Sequence, residues 1–173
     1  MKEIIKKGRG SINLLNQYIG PRKKNILVVS GKSLNDNHNA IKVIKKIQKS
    51  HNLFFFDNFK KDPKIKDAII GGKYFKKNKC QIIIAIGGGS AIDMAKLIIA
   101  YQKSKNNFYQ LAQGKIKITS TCKELIAIPT TAGTGSESTH FAVIYIKNKK
   151  YSLASEFLLP SVAIIDSNLA MTM

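Results

Sequence analysis

The 173-residue sequence lacks long apolar runs and is poor in cysteine. Its longest apolar stretches, such as residues 82–86, are far shorter than the roughly 20 residues that cross a bilayer as a helix. Residues 1–7 also lack the apolar stretch of a signal peptide. The two cysteines, Cys80 and Cys122, do not have metal-ligand spacing. We therefore expect a cytoplasmic chain that contacts no membrane and keeps its cysteines reduced.

Acidic residues are scarce, because 10 Asp and Glu stand against 29 Lys and Arg, which gives a net charge of +19. Such a balance is common among proteins that bind nucleic acid. The lysines, however, are spread along the whole chain, and only Arg9 and Arg22 are arginines. No stretch interleaves basic and aromatic residues as a single-strand binder does. We therefore predict no nucleic-acid partner and interpret the lysines as the solvated faces of helices.

Hydrophobic periodicity indicates strands that alternate with helices. Short apolar runs predict strands over residues 25–30, 53–56, 81–86, 125–128 and 162–165. Helical spacing predicts helices over residues 39–49, 63–76 and 90–101, the second of them weakened by Gly71 and Gly72. This alternation is typical of a parallel sheet covered on both faces. The predicted fold class is α/β, a Rossmann-like, doubly wound and mostly parallel sheet.

Two segments depart from this alternation. Residues 115–121 alternate between apolar and polar side chains, which predicts a small edge strand or a hairpin arm. Residues 141–146 and 151–154, joined by residues 147–150, predict an inserted β-hairpin. No linker or repeat divides the sequence, so we predict a single domain over residues 1–173.

The sharpest local pattern is a strand that runs into three glycines and then directly into a helix, at residues 82–96. Glycines let the backbone approach a ligand, and a helix N-terminus offers unpaired N–H groups to a phosphate. Ser90 is placed to cap this helix, with Asp93 as its capping-box partner. A tight turn without a ligand explains the same glycines, because their order differs from the Rossmann fingerprint.

A second unusual loop, residues 129–139, follows the strand predicted at residues 125–128 and is rich in hydroxyl and small side chains. Such a loop offers many hydrogen-bond donors to a pyrophosphate or a ribose. Both loops follow the carboxyl ends of predicted parallel strands, which is the edge where open α/β sheets bind ligands. Together they favour a nucleotide site over two plain connections.

Residues 87–96 and 129–137, with residues 150–155 and 159–166, resemble the signature stretches of the iron-containing alcohol dehydrogenases. The resemblance implies a two-domain enzyme whose N-terminal α/β domain binds NAD(P). It also implies a C-terminal helical domain that binds Fe²⁺, or sometimes Zn²⁺, through an aspartate and histidines. The metal polarises a small aldehyde or alcohol, and the nicotinamide gives or takes a hydride. Members of the family also form homo-oligomers.

The resemblance further implies which residues contact the cofactor. The matched positions are Gly31, Ser33, Gly88, Gly89, Ser90, Thr130, Thr131, Thr134, Thr139, Phe141, Lys150 and Leu169. Of these, Gly89 and Ser90 would hold the pyrophosphate. Thr130 and Thr131 would line the phosphate and nicotinamide region, and Leu169 would lie near the adenosine.

Gly31 departs from the pattern of many NAD-preferring relatives. These carry an aspartate just after the first strand, which accepts a hydrogen bond from the ribose and repels a 2′-phosphate. Here that place holds Gly31, followed by Lys32 and Ser33. The change predicts a preference for NADP(H) over NAD(H). Alternatively, Gly31 is only a turn glycine and the selectivity is weak.

The metal site of the family has no counterpart in these residues. The sequence ends at Met173, where relatives continue into the helical domain, so we expect a truncated chain without a metal ligand. The three histidines, His38, His51 and His140, do not match the family's metal positions, and we expect His38 and His51 to be exposed.

Two other functions stay open, as does the substrate. One is a non-catalytic nucleotide-binding module or gene remnant, and the other is an enzyme that resembles glycerol dehydrogenase or dehydroquinate synthase. Residues 138–143 and 149–154 also resemble the branch of the family that reduces phosphonoacetaldehyde to hydroxyethylphosphonate. The substrate predicted is therefore a small aldehyde or alcohol, with phosphonoacetaldehyde as one candidate.

Overall fold

The computed structural model describes residues 4–104, 106–120 and 124–170. The strands in these residues are β1 (Ile4–Lys7), β2 (Asn25–Ser30), β3 (Asn52–Phe56), β4 (Ile82–Gly87), β5 (Glu124–Pro129), β6 (Phe141–Ile146), β7 (Lys149–Ala154) and β8 (Val162–Ile165). The α-helices are α1 (Leu15–Ile19), α2 (His38–Gln48), α3 (Ile65–Lys77), α4 (Gly89–Lys103), α5 (Phe108–Ala112) and α6 (Ser167–Ala170). Short 3₁₀ turns lie at Ser11–Leu14, Lys32–Asp36, Ser136–Ser138 and Glu156–Leu158.

Six strands form one parallel sheet in the order β1-β8-β5-β4-β2-β3, and β6 and β7 form a separate antiparallel hairpin. The chain passes from β2 to β3 on one side and from β4 to β5 on the other, so the strand order reverses between β2 and β4. Such a reversal is the point outside which open α/β sheets bind ligands. The predicted α/β fold, with its parallel sheet and inserted hairpin, is confirmed.

The two faces of the sheet are covered by separate helical layers. In β4, Ile83 and Ala85 face a core shared with α3, α4 and α5, whereas Ile82, Ile84 and Ile86 face a core shared with α1 and α2. Successive side chains of a strand point to opposite faces. Because both faces are buried, the strand is apolar along its length, which explains the continuous apolar runs in the sequence.

Helix α4 is the longest described helix, with 15 residues, and its residues 91–101 are all buried. It packs on β4 and β5 and is also covered by β6 of the hairpin. A helix that is apolar on all sides needs such cover on all sides. The inserted hairpin is therefore part of the core. Among the described helices, none combines the length and the apolar content needed to cross a membrane.

Helices α3 and α4 cross closely because Gly71 and Gly72 have no side chains. A Cβ at Gly72 would lie 2.1 Å from Cδ1 of Tyr101, and one at Gly71 would lie 2.5 Å from Cδ1 of Ile98. The two glycines do not interrupt the helix, since α3 runs through both. Packing against α4 therefore offsets their propensity cost of about 1 kcal/mol each.

Some elements differ from the sequence predictions. Residues 115–120 form turns and irregular chain instead of the predicted edge strand or hairpin arm, and Thr121 lies outside the described residues. Their alternation arises because Ile116 and Ile118 pack on the core without pairing to a strand. Helices α1, α5 and α6 were not predicted, since four or five residues are too few to show a period. Strand β1 was also missed, because all four of its residues are exposed.

His51 is only 3% exposed, so the expectation of an exposed side chain was wrong, whereas His38 is exposed as expected. Nδ1 of His51 accepts a hydrogen bond from the backbone N–H of Lys24 at 3.3 Å. Burial lowers the pKa of His51, and the positive charge of Lys24 lowers it further. The fold therefore stabilises the neutral imidazole.

Replacing Gly72 with alanine is expected to lower the free energy of unfolding by about 1–3 kcal/mol, because the new methyl group would overlap the Tyr101 ring. The higher helix propensity of alanine acts in the opposite direction. Urea denaturation followed by circular dichroism measures the change. Lys73→Ala, an exposed change on the same helix, is the control and should stay within about 0.5 kcal/mol of the parent. A Gly72→Ala variant as stable as the parent would contradict the close helix crossing.

The free energy of unfolding is expected to fall as the pH drops below about 6.5, because the unfolded chain binds a proton on His51 before the folded chain does. His51→Gln removes this titration, so its stability should depend less on pH between about 6.5 and 5. His38→Gln, at an exposed site, should keep the parent's slope. Urea denaturation at a series of pH values measures all three. Equal slopes for the parent and His51→Gln would rule out this role.

Candidate functional site

The ends of three strands meet at the carboxyl edge of the sheet. Strands β2, β4 and β5 are paired neighbours, with Ser30 in register with Ile86 and Gly87 in register with Pro129. The N–H of Thr130 donates to the carbonyl oxygen of Gly87 at 3.0 Å, and a Cβ at Gly87 would lie 3.4 Å from the backbone nitrogen of Gly31. Gly31, Gly88 and Thr130, which follow the three strands, are therefore close together at the point where the strand order reverses.

Helix α4 begins directly at the glycine loop without a side-chain cap. Gly87 has a φ of 151°, which favours glycine, and Gly88 is the extended N-cap residue, with φ −74° and ψ −176°. No side chain forms a capping hydrogen bond at this end. The predicted capping box of Ser90 and Asp93 is therefore wrong.

Ser90 and Asp93 have other partners, far along the chain. The Ser90 hydroxyl donates to the backbone carbonyl of Lys61, and the Asp93 carboxylate accepts from the N–H of Val143 at 3.1 Å. Ser90 lies inside the first turn of the helix and not before it. Since neither side chain occupies the cap, the start of α4 keeps the backbone donors that an anion requires.

The loop of residues 129–139 packs directly against the glycine loop. A Cβ at Gly88 would lie 3.1 Å from Oγ1 of Thr131. A Cβ at Gly89 would lie 3.2 Å from Oγ of Ser136 and 3.3 Å from Cβ of Thr134. The predicted residues Gly88, Gly89, Thr131 and Thr134 are thus brought together. The glycines accommodate this contact between loops in addition to allowing a ligand to approach the backbone.

Lys96 holds the second loop in place from inside the core. Its side chain is 0% exposed. The ammonium donates to the carbonyl oxygens of Ser136 at 2.7 Å, Thr139 at 2.6 Å and Phe141 at 2.8 Å. It also lies 3.2 Å from the hydroxyl of Thr139. The predicted contact residue Thr139 is therefore anchored to α4, and the order of this loop depends on one buried lysine.

Asp93 lies one turn before Lys96 on α4 and is 8% exposed. Burial raises the pKa of its carboxyl group, whereas the Val143 N–H and the charges of Lys96 and Lys150 oppose that rise. Asp93 joins α4 to the hairpin, and Lys96 joins α4 to the loop. Sequence reasoning did not assign either role, although two charged residues in an otherwise apolar helix are a signal for buried polar contacts.

A cavity of about 440 Å³ borders the second loop on its other side, beyond the ends of β1, β5 and β8. Its lining consists of Lys7, Gly8, Pro129, Thr131, Ala132, Gly133, Glu137, Ile165, Asp166 and Ser167. A second cavity, of about 540 Å³, lies beside Gly31, beyond the ends of β2 and β3. It is lined by Lys32, Asp57, Asn58, Phe59, Lys60, Lys64 and Asp67. The two cavities flank the glycine loop.

The side chains of the other predicted contact residues differ in how exposed they are. Phe141 is 45% exposed at the start of β6, and Lys150 is exposed on β7, near enough to Asp93 for its charge to act on that carboxyl group. Leu169 is fully buried, and its side chain packs in the core beside α2. The side chain of Ser33 lies outside the described residues. Gly31 is extended, with φ −75° and ψ 166°, so its backbone does not require glycine.

No metal site is formed by the residues that the structure describes. Within residues 4–104, 106–120 and 124–170, no group of three or more histidine, cysteine, aspartate or glutamate side chains is placed to hold a metal ion. The described residues therefore do not by themselves supply a ligand set for the metal that the sequence resemblance implies.

Replacing Lys96 with methionine is expected to destabilise the chain by at least about 2 kcal/mol, because three partly buried carbonyl groups would lose their donor. Amide hydrogen exchange should also accelerate in residues 136–141 before it does so in β4. Lys103→Met, an exposed change on the same helix, is the control and should alter neither the stability nor the amide exchange of residues 136–141. Unchanged exchange in residues 136–141 of Lys96→Met would contradict the anchoring role.

Comparisons with known proteins agree with this geometry. The profile of the iron-containing alcohol dehydrogenase family matches residues 3–167. An NADPH-dependent butanol dehydrogenase of Clostridium saccharobutylicum is 34% identical in an alignment 176 positions long, which covers 96% of this chain and 44% of that protein. The bifunctional aldehyde-alcohol dehydrogenase of Escherichia coli strain K12 is 33% identical in an alignment 181 positions long, which covers 95% of this chain and 20% of that protein. The chain therefore spans less than half the length of these relatives.

Solved structures match over nearly the whole chain. The NADH-dependent butanol dehydrogenase A of Thermotoga maritima superposes with a TM-score of 0.88 at 25% identity, covering 99% of this chain and 44% of that one. The sulfoacetaldehyde reductase of Bifidobacterium kashiwanohense, in complex with NAD⁺, superposes with a TM-score of 0.85 at 27% identity, covering 97% of this chain and 45% of that one. The shared part is in each case one α/β unit of a longer chain.

Proposed function

The chain belongs to the iron-containing alcohol dehydrogenase family, and from this premise we propose that it binds a nicotinamide dinucleotide across the carboxyl edge of β2, β4 and β5. The bound dinucleotide exchanges a hydride with a small aldehyde or alcohol. The observation that carries the proposal is the uncapped start of α4, which lies at the reversal of strand order with the threonine-rich loop packed beside it.

The phosphate contacts follow from that arrangement. A pyrophosphate at Gly88, Gly89 and Ser90 would receive backbone N–H groups and the positive end of the helix dipole. Thr130, Thr131 and Thr134 belong to the loop beside it and supply hydroxyl donors. In this proposal Lys96 does not touch the cofactor, because it acts through the loop carbonyls that it holds.

We propose that the adenosine lies toward Gly31 and that the chain prefers NADP(H). No acidic side chain occupies position 31, and three lysines against two aspartates line the neighbouring cavity, a balance of +1. A 2′-phosphate suits such a cavity better than a ribose hydroxyl does. Family membership does not decide the preference, because the relatives include an NADPH-dependent butanol dehydrogenase and an NAD-dependent methanol dehydrogenase of Bacillus methanolicus.

The metal belongs to a different part of the protein in this proposal. Iron, or zinc, would polarise the oxygen of the substrate, and we place its ligands outside residues 1–173, in the portion of the relatives that this chain does not match. The contribution of the described residues is to bind the dinucleotide and to orient it. We also propose assembly into a homo-oligomer, as is usual for the family.

Phosphonoacetaldehyde is the candidate substrate that the sequence favours within the broader class of small aldehydes. Residues 138–143 and 149–154 support it through their resemblance to that branch. The similarity to a sulfoacetaldehyde reductase also supports it, because sulfoacetaldehyde is another anionic aldehyde. Measuring NADPH consumption by the intact native protein with phosphonoacetaldehyde, butanal and glycerone as alternative substrates would separate these candidates and the glycerol-dehydrogenase alternative.

Isothermal titration should give NADP⁺ a dissociation constant about tenfold lower than that of NAD⁺, a difference of about 1.4 kcal/mol. Gly31→Asp should reverse this order, because the new carboxylate repels the 2′-phosphate, and the extended backbone at Gly31 accepts any side chain. Gly31→Asn, of the same size without the charge, is the matched control and should largely keep the parent's order. Tighter NAD⁺ binding by the parent would overturn the NADP(H) preference.

Residues 1–173 expressed alone are expected to bind NADPH but to reduce no aldehyde when Fe²⁺ or Zn²⁺ is added, because the described residues form no metal site. NADPH fluorescence measures binding, and NADPH absorbance measures turnover. The mass of the intact native protein shows whether further residues follow position 173. Metal-dependent aldehyde reduction by residues 1–173 would refute our placement of the metal ligands. Absence of NADPH binding would favour the gene-remnant alternative.

A further inference from the structure

The segment that joins β3 to α3, residues 57–64, forms most of the wall of the 540 Å³ cavity beside Gly31. Lys32 and Asp67 are the two lining residues that come from other elements. The remaining five belong to the segment and are Asp57, Asn58, Phe59, Lys60 and Lys64. The shape of this cavity, and the position of two of its three lysines, therefore depend on how residues 57–64 are held.

The segment is fixed near both of its ends by contacts with the core. The ring of Phe59 stacks on the ring of Phe56, with 5.9 Å between the two centroids. Toward α3, the carbonyl oxygen of Pro63 accepts a hydrogen bond at 2.8 Å from the N–H of Tyr145, in β6. These two contacts leave residues 60–62, which are all exposed, between them.

The middle of the segment is held by one side chain from α4. The backbone carbonyl of Lys61 accepts a hydrogen bond from the hydroxyl of Ser90. Within the part of the chain that the structure describes, this is the only hydrogen bond that joins residues 60–62 to another element. One hydroxyl group therefore determines where the exposed middle of the cavity wall lies.

Ser90 also belongs to the start of α4, where the proposed function places the pyrophosphate. The N–H groups of Ala91 and Ile92 donate to the carbonyl of Gly88 at 3.0 and 3.3 Å. The backbone donors at this helix start that remain for a phosphate are therefore those of Gly89 and Ser90. Ser90 thus lies between the pyrophosphate site and the wall of the adenosine cavity.

The side chain of Ser90 cannot bind both neighbours at once. A hydroxyl group has a single hydrogen to donate, and the carbonyl of Lys61 receives it here. An ionised phosphate oxygen only accepts hydrogen bonds, so it requires a donor that is not already in use. The geometry therefore divides the residue, because its backbone N–H is available to the phosphate while its hydroxyl holds the cavity wall.

We propose that Ser90 is a positioning residue for the adenosine end of the dinucleotide. By holding the carbonyl of Lys61, its hydroxyl keeps Lys60 and Lys64 on the cavity wall, where their charges attract a 2′-phosphate. The inference rests on the proposed function. The sequence assigned Ser90 to the pyrophosphate, whereas here the effect of its side chain is exerted on the other end of the cofactor.

Limited digestion with trypsin tests the hold on the wall without any ligand, because trypsin cleaves after Lys60 and Lys61, which are both exposed. We expect Ser90→Ala to accelerate cleavage at these two bonds about fivefold, the effect of losing one hydrogen bond. Cleavage after Lys147 and Lys149, in the exposed hairpin turn, is the internal control and should keep the parent's rate. Mass spectrometry of the fragments measures both rates.

Displacement of NADPH fluorescence from the purified protein tests the consequence for the cofactor. NADP⁺ and adenosine 2′,5′-bisphosphate reach the helix start with a phosphate, whereas adenosine 2′-monophosphate has none there. We expect Ser90→Ala to weaken all three by the same factor, about fivefold, because each of them fills the adenosine cavity. Ser90→Thr keeps the hydroxyl and is the matched control, so both its affinities and its cleavage rates should stay within about twofold of the parent.

The outcomes separate the inference from the function on which it rests. If Ser90→Ala weakens NADP⁺ and the bisphosphate but spares adenosine 2′-monophosphate, the hydroxyl is a phosphate ligand and the inference is overturned, while the nucleotide function stands. Unchanged cleavage after Lys60 and Lys61, or equal acceleration in the hairpin turn, overturns it as well, since the hydroxyl then holds nothing or supports the whole fold. If the parent binds no nucleotide, both proposals fail.

Discussion

The buried ammonium of Lys96 is the interaction on which the candidate site depends. A lysine with no solvent exposure is costly unless its charge is compensated and its donors are used. Here the compensation comes from two backbone carbonyls of the loop that follows β5, from the carbonyl of Phe141 at the start of β6, and from the electrostatic interaction with the carboxyl group of Asp93. Because the ammonium has no alternative partner in water, the loop must stay where its carbonyls meet α4. The threonines that face the cofactor edge are positioned as a consequence.

The packing around α4 depends on four glycines, which have no side chains, as much as on this buried charge. Gly88 and Gly89 let the threonine-rich loop close onto the start of α4, and Gly71 and Gly72 let α3 approach the other part of the same helix. Helix α4 is thus packed against the sheet, the hairpin, the loop and α3 at once. A rigid helix start between two cavities is the arrangement that a dinucleotide requires, because its two halves extend to either side of the pyrophosphate.

Much of the fold could be predicted from the sequence because strands buried on both faces are apolar along their whole length, which a short stretch of sequence shows. The strands at residues 25–30 and 162–165 were predicted to the residue, and the hairpin was predicted with its second strand two residues short. The elements that were missed, β1, α1, α5 and α6, are short or exposed, so no period distinguishes them. The alternation of residues 115–120 was misread because two isoleucines can reach a core without a strand.

The sequence by itself determined the alternation of strands and helices, the glycine-rich start of α4 and the hydroxyl-rich loop after β5, since each is a pattern of neighbouring residues. Only the tertiary structure decided where Lys96, Ser90 and Asp93 find their partners, which lie 29 to 50 residues away along the chain. It also decided that His51 is buried and that Oγ1 of Thr131 and Oε2 of Glu137 have no hydrogen-bond partner among the described residues. The physical reason is that secondary structure follows from local periodicity, whereas a hydrogen-bond partner depends on which distant segment the packing brings within about 3 Å.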